Sequence, residues 1–171
     1  MNDSRLPTLV YLLLLVMGLL QWANAYPQLP DVMASHFSAH GVPNGWAPKP
    51  AFFGIMALGV IVSAVAGFLA PRGIQSRPAA RINLPHKDYW LAPEHREDTW
   101  RFIRAQMAWF GCAVLFVMLY GTSQAINANL PNIGRFDGDA MLYVMAGFVL
   151  FCLLWIAIFL RHFYNVPPSQ S

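Results

Sequence analysis

The sequence predicts an all-α membrane protein with four transmembrane helices and a short interfacial helix in the first outer loop. Of the 171 residues, 57% are hydrophobic and only 11% are charged, whereas soluble domains carry about 25% charged residues. The chain contains four uncharged apolar stretches, each close to the roughly 20 residues that a helix needs to cross a bilayer. These stretches do not alternate between apolar and polar residues, as the strands of a membrane barrel do.

The four predicted spans cover residues 9–25, 51–70, 105–126 and 140–160 of a single transmembrane domain. Backbone groups in lipid must be hydrogen-bonded within their own segment, so each span is predicted to be a helix. The first segment also resembles a signal peptide, with a basic residue before it and Ala-Asn-Ala at its end. Its apolar run exceeds the roughly 7–15 residues of a signal peptide, which favours a retained span.

The basic residues predict the orientation of the chain. Nine of the eleven lie in the N-terminal tail, the loop 71–104 and the C-terminal tail, and only Lys49 and Arg135 lie in the other two loops. Basic residues accumulate in cytoplasmic loops, so both termini are predicted to be cytoplasmic and the loop 29–50 to face outward. The net charge of +3 then needs no nucleic-acid partner, and the predicted surroundings are the lipid bilayer.

The first outer loop carries signals for a short helix over residues 32–40. Asp31 suits the N-cap position, since its carboxylate can accept from free backbone N–H groups, and Gly41 suits the position after a helix. A turn at Pro43-Asn44-Gly45 follows, and Trp46 is expected to anchor the chain at the membrane interface.

On such a helix, His36 and His40 share one face. That spacing can present two imidazoles to one metal, with Asp31, Asp137 or Asp139 as a third ligand. The alternative is that His36 is hydrogen-bonded within the loop and that His40 interacts with the helix C-terminus. Two histidines without Cys or Glu fall short of a typical zinc set, so the sequence predicts neither a bound metal nor another cofactor.

Small residues recur every four positions in the second span, at Gly59, Ser63 and Gly67. Such spacing lets helix backbones approach closely, either within the chain or against another subunit. Pro71 is expected to end this helix, since proline lacks a backbone N–H group. After the irregular start of the second loop, Pro93 suits the first position of a long helix that continues into the third span.

No catalytic arrangement is recognisable. There is no Gly-rich phosphate loop and no nucleophile elbow. The four spans contain no Asp, Glu, Lys, Arg or His, the residues that usually mark proton relays and ion pathways in membranes. Cys112 and Cys152 are expected at similar depths of neighbouring helices, either as small apolar residues or as a disulfide, which is typical of oxidising settings.

The outer loop resembles a known family. Its order of Leu-Pro-Asp31, His36, Gly41, Gly45-Trp46 and Lys49 is similar to the N-terminal domain of unknown function in SdpI-type bacterial membrane proteins. A second stretch resembles a motif in short members of this group and includes Asn83, Pro85, Asp88, Tyr89, Trp90 and Pro93. The resemblance implies a short four-span member in the bacterial inner membrane. The type member is an immunity protein that protects its producing cell from a secreted toxin.

These observations lead to one hypothesis and two alternatives. The hypothesis is a non-catalytic binding or immunity-like protein whose outer loop meets a peptide, a lipid or a partner subunit. The residues assigned to that role are Asp31, His36, His40, Gly41, Gly45, Trp46 and Lys49. The alternatives are an accessory subunit of a larger membrane complex, and a metal-dependent membrane enzyme centred on the two histidines.

Overall fold

Helices predominate in the structure, a computed structural model that describes residues 4–166. Four helices are long and apolar enough to cross a membrane, and they cover Arg5–Gln28, Lys49–Gln75, Pro93–Asn129 and Gly138–Tyr164. Most of their apolar surface is not covered by other parts of the chain. The predicted set of four apolar helices is therefore confirmed, and the chain is a multi-pass membrane protein.

The elements follow one another as an up-and-down bundle with one inserted hairpin. In chain order they are α1 Arg5–Ala25, β1 Val32–Phe37, β2 Pro43–Pro48, α2 Lys49–Ala64, α3 Ala70–Gln75, α4 Lys87–Trp90, α5 Pro93–Asn129 and α6 Gly138–Tyr164. The helices alternate in direction, so residues 26–48 and 130–137 lie at one end of the bundle, called the hairpin end. Residues 76–92 lie at the opposite end, called the terminal end.

Helix α5 is the centre of the bundle, because α1, α2, α3 and α6 all pack against it. Three buried clusters follow its length. The cluster at the hairpin end includes Met33 and Phe52, the middle one includes Tyr11 and Leu115, and the one at the terminal end includes Trp100. Its start at Pro93 and its continuation into the third span are as the sequence predicted.

Helix α5 and the second span approach each other closely at a pair of glycines. A Cβ atom built on Gly67 would lie 3.1 Å from the Gly111 Cα atom and 3.2 Å from the Met107 carbonyl oxygen. Ser63 is buried on the same side and lies 2.8 Å from the Tyr11 hydroxyl. A Cβ on Gly59 would overlap the side chain of Met118. The small-residue face of the second span is thus occupied within the chain.

The second span does not end at Pro71, contrary to the sequence-based expectation. It passes through a π-helical turn at Val65–Leu69, in which the Ala70 N–H donates to the Val65 carbonyl, and continues as α3 to Gln75. Proline normally breaks a helix because it lacks an N–H group and crowds the preceding turn. The wider π turn provides the extra room, so the helix continues past the proline.

The predicted helix over residues 32–40 is wrong, because this segment belongs to an antiparallel hairpin. Val32 pairs with Pro48, Met33 with Ala47 and Ala34 with Trp46, and the register shifts beyond Ala34. An isolated helix of nine residues is marginal. The hairpin instead pairs the backbone of both segments beside an apolar bundle, where unpaired backbone groups are costly. The turn is completed by Gly41 at φ +76°.

The two cysteines do not form a disulfide. Both are free thiols, and the Cys112 Sγ–H donates to the Pro7 carbonyl at 3.1 Å. Cys112 packs with Tyr11 and Leu115 in the middle cluster. It therefore acts as a small buried residue between α1 and α5.

The contact between Gly67 and Gly111 gives a test of the bundle. We expect Gly111→Ala to lower the free energy of unfolding by about 1–3 kcal/mol, the usual cost of overpacking a tight contact. The added methyl group would press on the Gly67 Cα at 3.1 Å and on the Ser63 carbonyl at 3.2 Å. The matched control is Gly54→Ala, where no atom lies within 4 Å of the new Cβ. Denaturant unfolding in mild detergent measures both, and equal stability of the two variants would contradict this packing.

Candidate functional site

Asn129, the last residue of α5, holds the hairpin on the bundle. Its Oδ1 accepts from the Ala34 N–H at 2.8 Å, and its Nδ2 donates to the Ala34 carbonyl at 2.8 Å. The same Nδ2 donates to the Ala125 carbonyl at 2.8 Å, which fixes the amide against its own helix. One side chain thus takes the place that a third strand would have beside β1.

This pairing determines which backbone groups of β2 are free. Ala34 lies opposite Trp46, and both polar groups of Ala34 point to Asn129 rather than to β2. The two residues therefore form a non-hydrogen-bonded pair, and the Trp46 N–H and C=O groups point to the outer edge of β2. The backbone of Pro48 also points to the outer edge of β2, but proline has no N–H donor. Its position therefore protects this edge against unspecific pairing with another strand.

Lys49 ties the two ends of the outer loop together. Its side chain is only 13% exposed, and its ammonium group donates to the Leu29 carbonyl at 2.9 Å. The same group lies 3.7 Å from the Asp31 carboxylate and 4.8 Å from the centre of the Tyr26 ring. The Lys49 N–H also donates to the Asp31 carbonyl at 2.8 Å. These contacts leave little of the Lys49 side chain available to a partner.

The tip of the hairpin rests against the loop before α6. The rings of Phe37 and Phe136 stack with centroids 4.3 Å apart. A Cβ atom on Gly41 would overlap the Phe136 carbonyl oxygen, and one on Gly138 would overlap the Ala39 carbonyl oxygen. Asp137 caps α6 by accepting from the Ala140 N–H at 3.0 Å. The hairpin is therefore supported by α5 at its middle and by the start of α6 at its tip.

The opposite side of the hairpin is exposed and partly apolar. Met33 faces the bundle and is fully buried, whereas Val32 is 59% and Trp46 63% exposed. The His36 Nδ1 and the Asn44 Oδ1 are hydrogen-bonded on this exposed side. We call this surface the hairpin outer face, and its members are Val32, His36, Asn44, Trp46 and Pro48.

The structure separates the two histidines that a helix would have brought together. His36 lies in β1 on the hairpin outer face, and His40 lies in the turn, beside a polar cleft that also contains Asp137 and Asp139. Within residues 4–166, no group of three His, Cys, Asp or Glu side chains is arranged to hold a metal ion. Gly45 lies opposite His36 in the hairpin, and a Cβ atom added to it would lie 3.0 Å from the His36 Cβ.

The second motif lies far from the hairpin, at the terminal end. The Trp90 Nε1–H donates to the Phe163 carbonyl at 3.0 Å, and the Trp90 carbonyl accepts from the Thr99 hydroxyl at 2.8 Å. The ring of His162 stacks on both Trp90, at 4.8 Å, and Phe102, at 3.8 Å. Around Trp90, Tyr89 packs on His95, Pro93 begins α5, Pro85 is partly buried, and Asn83 and Asp88 are exposed. Through Trp90 this motif joins the last turn of α6 to the first turns of α5.

Sequence reasoning missed Asn129 and Phe136, which position the hairpin. The only sequence signal for Asn129 is its polarity at the end of an apolar span. Phe136 lies in a short loop with no pattern of its own. Both contact the hairpin from elements almost one hundred positions away along the chain, since Asn129 and Ala34 are separated by 95 residues.

Comparison with known proteins adds one similarity. Residues 12–60 match a family model described as "Domain of unknown function (DUF1648)". This stretch holds most of α1, the whole hairpin and most of α2, but neither Asn129 nor α6. No curated protein and no solved structure matches the chain. The similarity to a domain of unknown function is therefore confirmed, and the link to SdpI-type proteins stays a prediction.

The amide of Asn129 gives a direct test of how the hairpin is held. We expect Asn129→Ala to speed amide exchange in β1 and β2 by about tenfold or more, since each lost hydrogen bond to a buried backbone group costs about 1–3 kcal/mol. The control is Asn132→Ala in the next loop, whose side chain is exposed and makes no hydrogen bond within residues 4–166. Hydrogen exchange followed by mass spectrometry compares the two, and unchanged exchange in Asn129→Ala would contradict the assigned role.

Proposed function

We propose that this chain is a non-catalytic membrane protein that binds a peptide or protein partner through the hairpin outer face. One observation carries the proposal. A bulky aromatic side chain, Trp46, stands exposed on a hairpin that three sets of contacts hold in place, at Asn129, at Lys49 and at Phe136. Tryptophan is enriched among the residues that dominate binding energies at protein interfaces.

A hairpin that is already folded favours binding, because it loses little conformational entropy when the partner binds. Much of the cost of association comes from ordering loops and side chains. Here β1 and β2 are already paired, and the apolar residues Val32, Trp46 and Pro48 lie together on the exposed side. The pair of His36 and Asn44 supplies polar groups next to them, which would give a partner its orientation.

Of the residues that the sequence assigned to the outer loop site, some would contact the partner and others would support the hairpin. His36 and Trp46 would contact the partner, with Asp31 exposed at the base of the hairpin. Gly41, Gly45 and Lys49 would support the fold, because their surroundings are filled by the chain itself. His40 lies beyond the face, at the turn, and is given no part in binding.

The distribution of basic residues supports an outward-facing hairpin. Nine of the eleven basic residues lie at the terminal end or in the helix turns that adjoin it, and the positive-inside rule would place that end in the cytoplasm. The hairpin would then meet extracellular or periplasmic partners. A secreted peptide is the class of partner that the resemblance to bacterial immunity proteins also implies, and the inner membrane is the location that follows from it.

An accessory subunit of a larger complex is the second candidate, and helix α6 favours it. This helix packs mainly against α5 and exposes apolar residues along its length, such as Leu142, Val149 and Leu153. Lipid would cover the same surface in a monomer. The Gly59, Ser63 and Gly67 face is already covered by α5, so a subunit contact would use α6.

Site-specific photo-crosslinking from the native membrane tests the proposal. Benzoylphenylalanine is placed at Val32, which is 59% exposed beside Trp46, or, as control, at Tyr143, an aromatic residue near the start of α6 that is 77% exposed. We expect a discrete protein or peptide adduct at Val32 and none at Tyr143. Addition of Asn129→Ala or Trp46→Ala to the Val32 probe should weaken the adduct, because the first variant releases the hairpin and the second removes the main contact. An adduct at Tyr143 alone would contradict the proposal and favour the accessory subunit.

A further inference from the structure

An apolar groove of about 360 Å³ lies beneath the hairpin, within the range of about 300–1,000 Å³ that small-molecule sites occupy. The floor is α5, the walls are α2 and α6, and the roof is the stacked pair of Phe37 and Phe136. We call this space the tail groove, and the residues used below are Phe52, Met56, Met118, Gly121 and Met141.

The groove exists because a glycine lies on its floor. At Gly121 the nearest atom to an added Cβ is the Met141 methyl at 3.6 Å, so a larger side chain would extend into the space. Three of the lining residues are methionines, whose flexible side chains adapt to chains of variable shape. The lining residues of α2 and α5 lie within predicted spans, where the surrounding medium consists of lipid acyl chains.

A polar cleft of about 350 Å³ adjoins the groove, and Phe136 lines both spaces. We call it the head cleft. Its ionisable groups are the guanidinium group of Arg135, the imidazole of His40, and the carboxylates of Asp137 and Asp139. Arg135 and Asp139 are exposed and form no ion pair with any side chain of residues 4–166. Opposite charges therefore stand side by side at the mouth of an apolar groove without pairing.

We propose that the two spaces together bind one phosphatidylethanolamine molecule from the leaflet at the hairpin end. One acyl chain occupies the tail groove, the phosphate lies at Arg135, and the ammonium group lies at Asp139. The charges select this lipid, because a zwitterionic head group matches a cleft that carries both signs. An anionic lipid would leave two carboxylates facing a negative head group, and a quaternary ammonium offers no N–H donor to a carboxylate. His36 of the hairpin outer face also lines the tail groove, but the residues on which this proposal rests lie outside that face.

Native mass spectrometry of the full chain, released from detergent micelles, tests this assignment. The protein is titrated with phosphatidylethanolamine, phosphatidylglycerol and phosphatidylcholine of identical acyl chains. We expect one retained phosphatidylethanolamine per chain and at least tenfold weaker binding of the other two lipids. Arg135→Gln and Asp139→Asn should each reduce this preference about tenfold, the effect of losing one hydrogen bond to a charged group.

Variants of the groove separate the tail from the head. Gly121→Leu should abolish retention of all three lipids, because the leucine fills the tail groove. The matched control is Gly54→Leu, whose surroundings are open and which should bind as the unchanged protein does. The two charge variants lie at exposed positions and keep the test valid if Gly121→Leu fails to fold, which circular dichroism detects.

Three results would overturn the proposal. The first is equal retention of the three lipids, and the second is tighter binding of phosphatidylglycerol. The third is a dimer that Gly121→Leu abolishes and phosphatidylethanolamine does not displace, which would assign the groove to a second copy of the chain.

Discussion

The amide of Asn129 pairs with both backbone groups of Ala34, and the arrangement of the hairpin end depends on this pairing. A strand beside an apolar bundle cannot leave its N–H and C=O groups unpaired, because water does not reach them. The amide satisfies both groups with the last residue of α5, which fixes the distance between hairpin and bundle. Met33 is then buried, and Trp46 and Val32 are turned outward. The hairpin outer face is therefore exposed because Asn129, at the end of α5, holds the other side of β1 against the bundle.

The bundle beneath the hairpin owes its shape to small residues. Gly67 and Gly111 let the second span approach α5 to backbone contact, while α6 stays at the periphery. The space left between α2 and α6 beside Gly121 forms the tail groove, which the hairpin and Phe136 close from above. Tight packing on one side of α5 and open packing on the other side therefore place the hairpin next to an apolar groove.

The four apolar helices were predictable from the lack of charge and the length of each segment. A lipid bilayer requires every span to be apolar, helical and about 20 residues long, whatever the rest of the chain does. The start of α5 was also predictable, because Pro93 acts locally. The hairpin was not, since Asp31 and Gly41 carry capping signals that suit a helix equally well, and the deciding contact comes from 95 residues away. The continuation of the helix past Pro71 depends on a π turn, and no pattern in the sequence predicts that turn. Of the site residues, Trp46 was assigned to the outer loop surface from its residue type alone, whereas the structural use of Lys49 depends on contacts that exist only in the folded loop.

The most direct test of this account is nuclear magnetic resonance of the isotope-labelled chain in bicelles. A non-hydrogen-bonded antiparallel pair brings its α-protons close together, so a strong cross-peak between the α-protons of Ala34 and Trp46 is expected. A second cross-peak should join the side-chain amide protons of Asn129 to Ala34. Sequential amide contacts and i to i+3 contacts across residues 32–40 would instead indicate the short helix. Their presence, with no cross-peak from Asn129, would contradict the hairpin.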